Sequence, residues 1–269
     1  MRVGAIRVAS TARMTYSGAM RIYDTLESVP SWTHGGLTRE IVARHAPKYP
    51  RAYLRMALER MIPKLDVLQV DVRVAEGHLH LDGDLETYEP HRLGLLIVTG
   101  DLVIRGGYFD TDHPPMMLLV LGSMTVDRMI TSGWVDVLGD LTVSGPLIGD
   151  YNDCSARIGG DVRCALFHPE NHHFEVGGRL VTPVAIGSKW RLEAAEPVDF
   201  VGEHDAALLE VLDRDLVRVE EHRWTDDDGV EQVELEIDGI DSGAFLDRIR
   251  RSLPVERRRP SKPQKDDPM

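Results

Sequence analysis

Cysteine, aromatic side chains and long apolar runs are all scarce in this chain. Of 269 residues only Cys154 and Cys164 are cysteine, and 6% are aromatic. Two cysteines are too few for a disulfide scaffold, and both are expected to pack as small apolar side chains. No apolar stretch reaches the roughly 18 residues of a membrane-spanning helix. The chain has no G-x-S-x-G, P-loop or dinucleotide fingerprint in its usual context, so the common catalytic frameworks these mark are not expected. A secretory apolar core is also missing, because Val3 to Val8 is interrupted by Gly4 and Arg7. Acid is absent before Asp24, while Arg2, Arg7, Arg13 and Arg21 are present. That composition reads as a poorly ordered leader, with Met14 or Met20 as alternative starts, or as a transit-like segment. A reduced, cytoplasmic compartment is the expectation.

Base is scarce in one region only. The net charge is −13, and between Glu193 and Asp247 there are 19 acids against three bases, Arg214, Arg218 and Arg223. The acidity therefore belongs to the C-terminal part. Nucleic acid is disfavoured there, because phosphate neutralisation needs Lys and Arg; a basic partner or simple solubility is favoured.

What the chain does have is glycine in rhythm. Six segments repeat an apolar run broken by glycine and a small or charged residue: Leu81-Asp82-Gly83-Asp84-Leu85, Val98-Thr99-Gly100-Asp101-Leu102, Val120-Leu121-Gly122-Ser123-Met124, Val137-Leu138-Gly139-Asp140-Leu141, Ile158-Gly159-Gly160-Asp161-Val162 and Val176-Gly177-Gly178-Arg179-Leu180. Marked at Gly83, Gly100, Gly122, Gly139, Gly160 and Gly178, the steps are 17, 22, 17, 21 and 18 residues. A period near 20 marks a solenoid. The steps are too uneven for a hexapeptide beat, so the expectation is an irregular right-handed parallel β-helix of about six coils. Leu102, Val120, Leu141, Val162 and Leu180 are expected inside it. The longer steps place loops at Tyr108 to Pro115 and Ile148 to Ser155, where Pro, Gly, Asp and Asn gather.

Around the repeats, Thr38 to Ala46 and Arg51 to Met61 read as helices, and Val70, Val72 and Val74 alternate with Asp71 and Arg73 as a strand. Asp205 to Leu216 reads as a helix with Ala206, Leu209 and Leu212 inward. Val217 to Arg223 and Val230 to Ile237 form a hairpin over Asp226-Asp227-Asp228-Gly229, and Ser242 to Leu253 is a last helix. The segment after Arg257 should be a disordered tail. The divisions are 1–64, a leader and helical N-terminal cap; 65–202, the β-helix; 203–256, an acidic α+β cap; and 257–269, the tail. The helices and the acidic cap are expected to cover the two solenoid ends.

Several constellations invite chemistry. Cys154, Cys164, His168 and His172 suggest zinc, but Pro169 and Asn171 put the histidine pair in a loop rather than on a helix. Asp226 to Asp228 lacks the pattern of a calcium loop. Asp110, Asp112, Asp150 and Asp153 fall in the two long loops and could converge for glycoside chemistry, which needs two carboxyls about 5 to 9 Å apart. No metal, cofactor or catalytic residue is assigned.

With the G-D-L repeats, the strings Tyr151-Asn152 and His172-His173-Phe174-Glu175 carry a resemblance. The stretch from about Leu79 to Pro183 is similar to bacterial proteins of the polymer-forming cytoskeletal, bactofilin-like group, within it to an acidic subgroup with Y-N and H-H-F/M-E strings. The resemblance implies a stand-alone protein without catalytic residues, in some members of immunity type against an antibacterial toxin. Two readings follow: a non-enzymatic binding module that neutralises a basic partner, and a scaffold that assembles end to end. A polysaccharide-active β-helix enzyme is a third. The partner-facing residues are expected to be Asp226, Asp227, Asp228, Glu234 and Glu236 of the hairpin, with Tyr108 and Tyr151 of the loops.

Overall fold

The computed structural model describes residues 21–31, 70–88, 92–113, 116–150, 153–225 and 231–257. The expected helices at 38–46 and 51–61, the leader up to residue 20 and nearly all of the tail lie outside them; the end of the expected leader is instead a strand, Arg21–Tyr23, paired in parallel with Gly77–Leu79. Through the repeats the strands are β1 (Arg21–Tyr23), β2 (Asp71–Ala75), β3 (Gly77–Asp82), β4 (Leu85–Glu86), β5 (Leu93–Val98), β6 (Leu102–Phe109), β7 (Met117–Val120), β8 (Met124–Thr131) and β9 (Trp134–Val137). They continue as β10 (Leu141–Val143), β11 (Pro146–Gly149), β12 (Ser155–Ile158), β13 (Val162–Arg163), β14 (Leu166–His168), β15 (His173–Val176), β16 (Leu180–Val181), β17 (Val184–Ala185) and β18 (Leu192–Glu193). These strands stack in parallel into a β-solenoid of about six turns.

The stack has three sides. The first runs β1-β3-β6-β8-β10-β13-β16 and the second β2-β5-β7-β9-β12-β15-β18. The third is made by β4, the second halves of β6 and β8, then β11, β14 and β17. Register puts like on like in the interior. Leu79, Leu102, Met124, Leu141, Val162 and Leu180 form one column, and Val98, Val120, Val137, Ile158 and Val176 another. All five residues expected inside are buried. No coil could bury its own columns, so the stability of each lies in its neighbours.

The glycine rhythm has a specific cause. Gly77, Gly100, Gly122, Gly139, Gly160 and Gly178 stack at one corner, each from Gly100 onward donating its N–H to the glycine carbonyl one coil before at 2.8–3.0 Å. A Cβ on Gly139 would lie 2.8 Å from the Gly122 oxygen, closer than any side chain tolerates. The next residue is a short acceptor. Asp101 Oδ1 accepts from the Ser123 N–H at 2.8 Å, Ser123 Oγ from Asp140 at 3.2 Å, Asp140 Oδ1 from Asp161 at 2.8 Å, and Asp161 Oδ1 from Arg179 at 2.9 Å. His78 begins this ladder, its Nδ1 accepting from Asp101 N–H at 3.0 Å. The first coil therefore starts at Gly77, not at Gly83. Gly83 sits at φ +96°, at a different corner, beneath Gly106, and the first step is 23 residues rather than 17. Both glycines precede an apolar run, so spacing alone does not tell the corners apart.

The C-terminal unit comprises α1 (Leu208–Val211), β19 (Val217–Thr225), β20 (Glu231–Ile240) and α2 (Ser242–Arg250). It does not cap an end of the solenoid. It lies along the third side, where the outward residues Phe109, Ile130, Ile148, Leu166 and Ile186 share one buried cluster with Leu208, Leu212, Leu216, Phe245 and Ile249. Those outward residues come from successive coils, so the unit spans the side. At the C-terminal end of the stack, Leu192, Ala194, Val198 and Phe200 pack on the inner core instead.

The expected helix from Asp205 to Leu216 is shorter. It breaks at Leu212, whose backbone is extended, and a single 3-10 turn follows at 214–216. Of the three residues expected inward, Leu212 is buried, Leu209 is half-buried and Ala206 is exposed; Leu208 and Leu216 are buried in their place, and Asp213 donates its N–H to the Val255 carbonyl. Packing against α2 and the solenoid side holds the apolar spacing while the backbone departs from helix. No described helix is long and apolar enough to cross a membrane.

Candidate functional site

The expected partner-facing residues do not stay together. Glu234 and Glu236 lie exposed on β20. Asp226, Asp227, Asp228 and Tyr151 lie outside the described residues. Tyr108, expected on an exposed loop, is instead in β6, fully buried in the third side's inward column between Leu85 and Met129. The apolar content of Leu102 to Phe109 extends the strand through Gly106-Gly107, so the loop begins only at Asp110.

The Tyr108 hydroxyl donates to Asp110 Oδ2 at 2.9 Å. Asp110, also buried, accepts from the Thr131 hydroxyl at 2.8 Å and from the N–H groups of Ser132 and Gly133. Burial nevertheless raises its pKa from the ordinary 3.8 to about 6, against the pull of those four donors. This is an anchor that satisfies the buried backbone of a corner, with no open face toward a substrate.

The loop carboxylates converge in part. Asp150 and Glu170 share a side-chain hydrogen bond where the solenoid's third side meets α2. Burial raises both pKa values, that of Glu170 to about 7, with the charges of Asp150 and Glu203 adding to it. Arg250 of α2 opposes the shift of Asp150, and Asp112 adds to it. His168 is buried beside this group. Its Nδ1 lies 3.2 Å from the Ile186 carbonyl, and its ring meets Phe245 edge-on at 5.9 Å. Burial lowers its pKa. The pair Glu170 and Glu203 was not legible in the sequence, since only the third side's register brings 168–170 against 148–150.

Neither cysteine is in a disulfide. Cys164 is buried in the core, which pushes its thiol up to about 12 and makes it a poor nucleophile or ligand. Among the described residues no three His, Cys, Asp or Glu side chains are placed to hold a metal ion.

The hairpin is the most exposed feature. Its strands pair antiparallel, with Glu220 opposite Glu236, His222 opposite Glu234 and Trp224 opposite Gln232. Directly opposed residues share a face, so this face carries three glutamates, a histidine and a tryptophan that is 47% exposed. His222 Nε2 lies 3.1 Å from Glu236 and 3.7 Å from Glu220. The other face carries Val219 opposite Ile237, then Glu221 opposite Leu235 and Arg223 opposite Val233, so it is apolar along β20 and charged along β19. The alternation in β20 thus puts Glu234 and Glu236 together as expected, but only Ile237 of the apolar set is covered. Val233 and Leu235 are 51% and 60% exposed. The ribbon is anchored at its base by Val217, Ile237 and Ile240 and beyond that has no core beneath it.

Comparison of the chain with protein-family models, with curated proteins and with solved structures gives no match.

Proposed function

We propose that this protein is a non-enzymatic binding module whose solenoid, with the right-handed winding its uneven coils suggest, carries an acidic hairpin to a basic protein partner. One observation carries the reading: the outer half of the β19–β20 ribbon is exposed on both faces, one lined by Glu220, Glu234 and Glu236 with Trp224, the other by Val233 and Leu235 with Arg223 and Glu221 opposite them. Two glutamates directly opposed on a ribbon repel each other, and a lysine or arginine brought between them relieves that repulsion. Trp224, four residues further along the same face, offers a ring face to a second cation. An immunity-type role, neutralising a basic toxin in the cytoplasm, fits this chemistry.

The carboxyl pair Asp150–Glu170 supports catalysis less well. It is in hydrogen-bonding contact at a half-buried junction, whereas glycoside chemistry needs two carboxyls apart across a groove. A self-assembling scaffold has one favourable observation, since β1 and β16 end the eleven-stranded sheet and sheet ends invite pairing.

The test is association kinetics with a partner captured by the wild-type protein. Glu220→Gln, Glu234→Gln and Glu236→Gln together should slow association at low salt by about tenfold or more and leave the melting temperature unchanged, because complementary charge acts mainly on the on-rate. An unchanged on-rate would remove the hairpin from recognition.

A further inference from the structure

The ribbon has two open edges as well as two exposed faces. Among the described residues no third strand pairs with β19 or β20. Nine and ten residues long, the strands are at the upper end of the usual range, and from Glu220 outward they pair only with each other. A two-stranded ribbon is marginal in water, and a third strand would add a row of main-chain hydrogen bonds. Base contacts leave the outer part available: His204 Nδ1 lies 3.2 Å from the Ile237 carbonyl and Arg214 donates to the Val217 carbonyl at 2.9 Å, both at the anchored end.

We infer that the partner binds this hairpin by strand addition, as an extended segment in which lysine or arginine alternates with valine, isoleucine or leucine. The inference rests on the hairpin being the recognition surface and adds the mode and the sequence chemistry. The two faces of the ribbon dictate the alternation. Successive side chains of an added strand point to opposite faces. On the free edge of β20 one set would lie beside Glu234 and Glu236, which select cations. The other set would lie beside Val233 and Leu235, which select apolar side chains; the edge of β19 offers Glu221 and Arg223 on that face instead and does not select them. A segment of uniform charge would strand lysines on the apolar face, and an apolar segment would leave the glutamates opposed.

The same charges argue against other occupants. A second copy would set Glu234 and Glu236 against their own kind, and like charges across a strand pair destabilise it. The chain's own basic stretch from Arg257 has Pro260 and Pro263, which cannot donate to a ladder, and no alternating apolar residues.

The experiment uses the full chain and three synthetic peptides matched to β19 in length. The first alternates lysine and valine. The second has the same residues in two blocks. The third is the alternating peptide N-methylated at every second residue, which keeps the charge and removes half the donors. The alternating peptide is expected to bind at submillimolar concentration and to slow amide exchange at the open edge of β20. Both controls should bind at least about tenfold more weakly, since each lost main-chain bond reduces affinity. Equal binding of the N-methylated or block peptide overturns strand addition while leaving the hairpin as the charged docking surface. Binding that survives Glu220→Gln, Glu234→Gln and Glu236→Gln overturns the surface itself. No binding up to millimolar peptide, or mutual protection of two copies of the ribbon, overturns the inference as well.

Discussion

At the scale of single residues, the corner ladder is a chain of short acceptors, and its chemistry can be separated from its charge. Asp140 accepts from Asp161 N–H through one oxygen. Asp140→Asn keeps that oxygen and should change stability by less than about 0.5 kcal/mol, whereas Asp140→Ala should cost about 1 kcal/mol; urea titration of both variants checks this. Asp110 behaves differently because it is buried. Its folded pKa, about 6, lies above the ordinary 3.8, so the native state holds the proton more tightly than the unfolded chain. Its contribution to stability is complete below about pH 4 and is lost as pH rises through about 6. The two-unit shift corresponds to roughly 3 kcal/mol. Glu170, raised to about 7, acts in the same direction. His168, whose pKa burial lowers from 6.5, acts in the opposite direction, so the test is a difference: between about pH 4 and 7.5 Asp110→Asn should lose less stability with rising pH than the wild type, read by denaturant titration.

At the scale of elements, the solenoid coils and the C-terminal unit should respond separately. Leu141 fills a column between Met124 and Val162 with no exposed surface. Leu141→Ala should cost about 2–5 kcal/mol, read from the denaturation midpoint, and should loosen coils on both sides of it. Phe245 packs α2 onto the third side against His168. Phe245→Ala should cost about 3–5 kcal/mol within the C-terminal unit. Hydrogen exchange would then rise at the base of β19 and β20 while amides of the second side keep their protection. Equal loss of protection in both would mean that the two regions unfold as one. The broken helix after α1 belongs to this scale as well. Its leucines have helical spacing, yet Arg248 of α2 reaches Asp213 at 2.6 Å and also bonds Asp215, and those bonds need the turn to open where the periodicity alone would continue it.

At the scale of the whole molecule, charge and shape set assembly. With a net charge of −13, and with the C-terminal unit along one side, light scattering at micromolar concentration should report a monomer or small oligomer at low salt. Filaments would instead favour the scaffold reading and direct attention to β1 and β16. The parallel stack, its coil count and its inward residues were legible in the sequence, because every coil repeats one local requirement: apolar side chains above and below, glycine where two backbones touch, a short acceptor beside it. Such requirements recur at fixed spacing, and spacing is what a sequence displays. The hairpin and the clustering of its acids were legible for the same reason. Three things were decided only in the tertiary structure. Tyr108 went inward because its hydroxyl found Asp110. The acidic unit lies along the side rather than over an end because five outward apolar residues from separate coils form one surface only after stacking. Val233 and Leu235 stay exposed because the third side is already covered by the ribbon's base and α2. Each depends on residues far apart in the chain meeting across coils, and no local pattern carries that information.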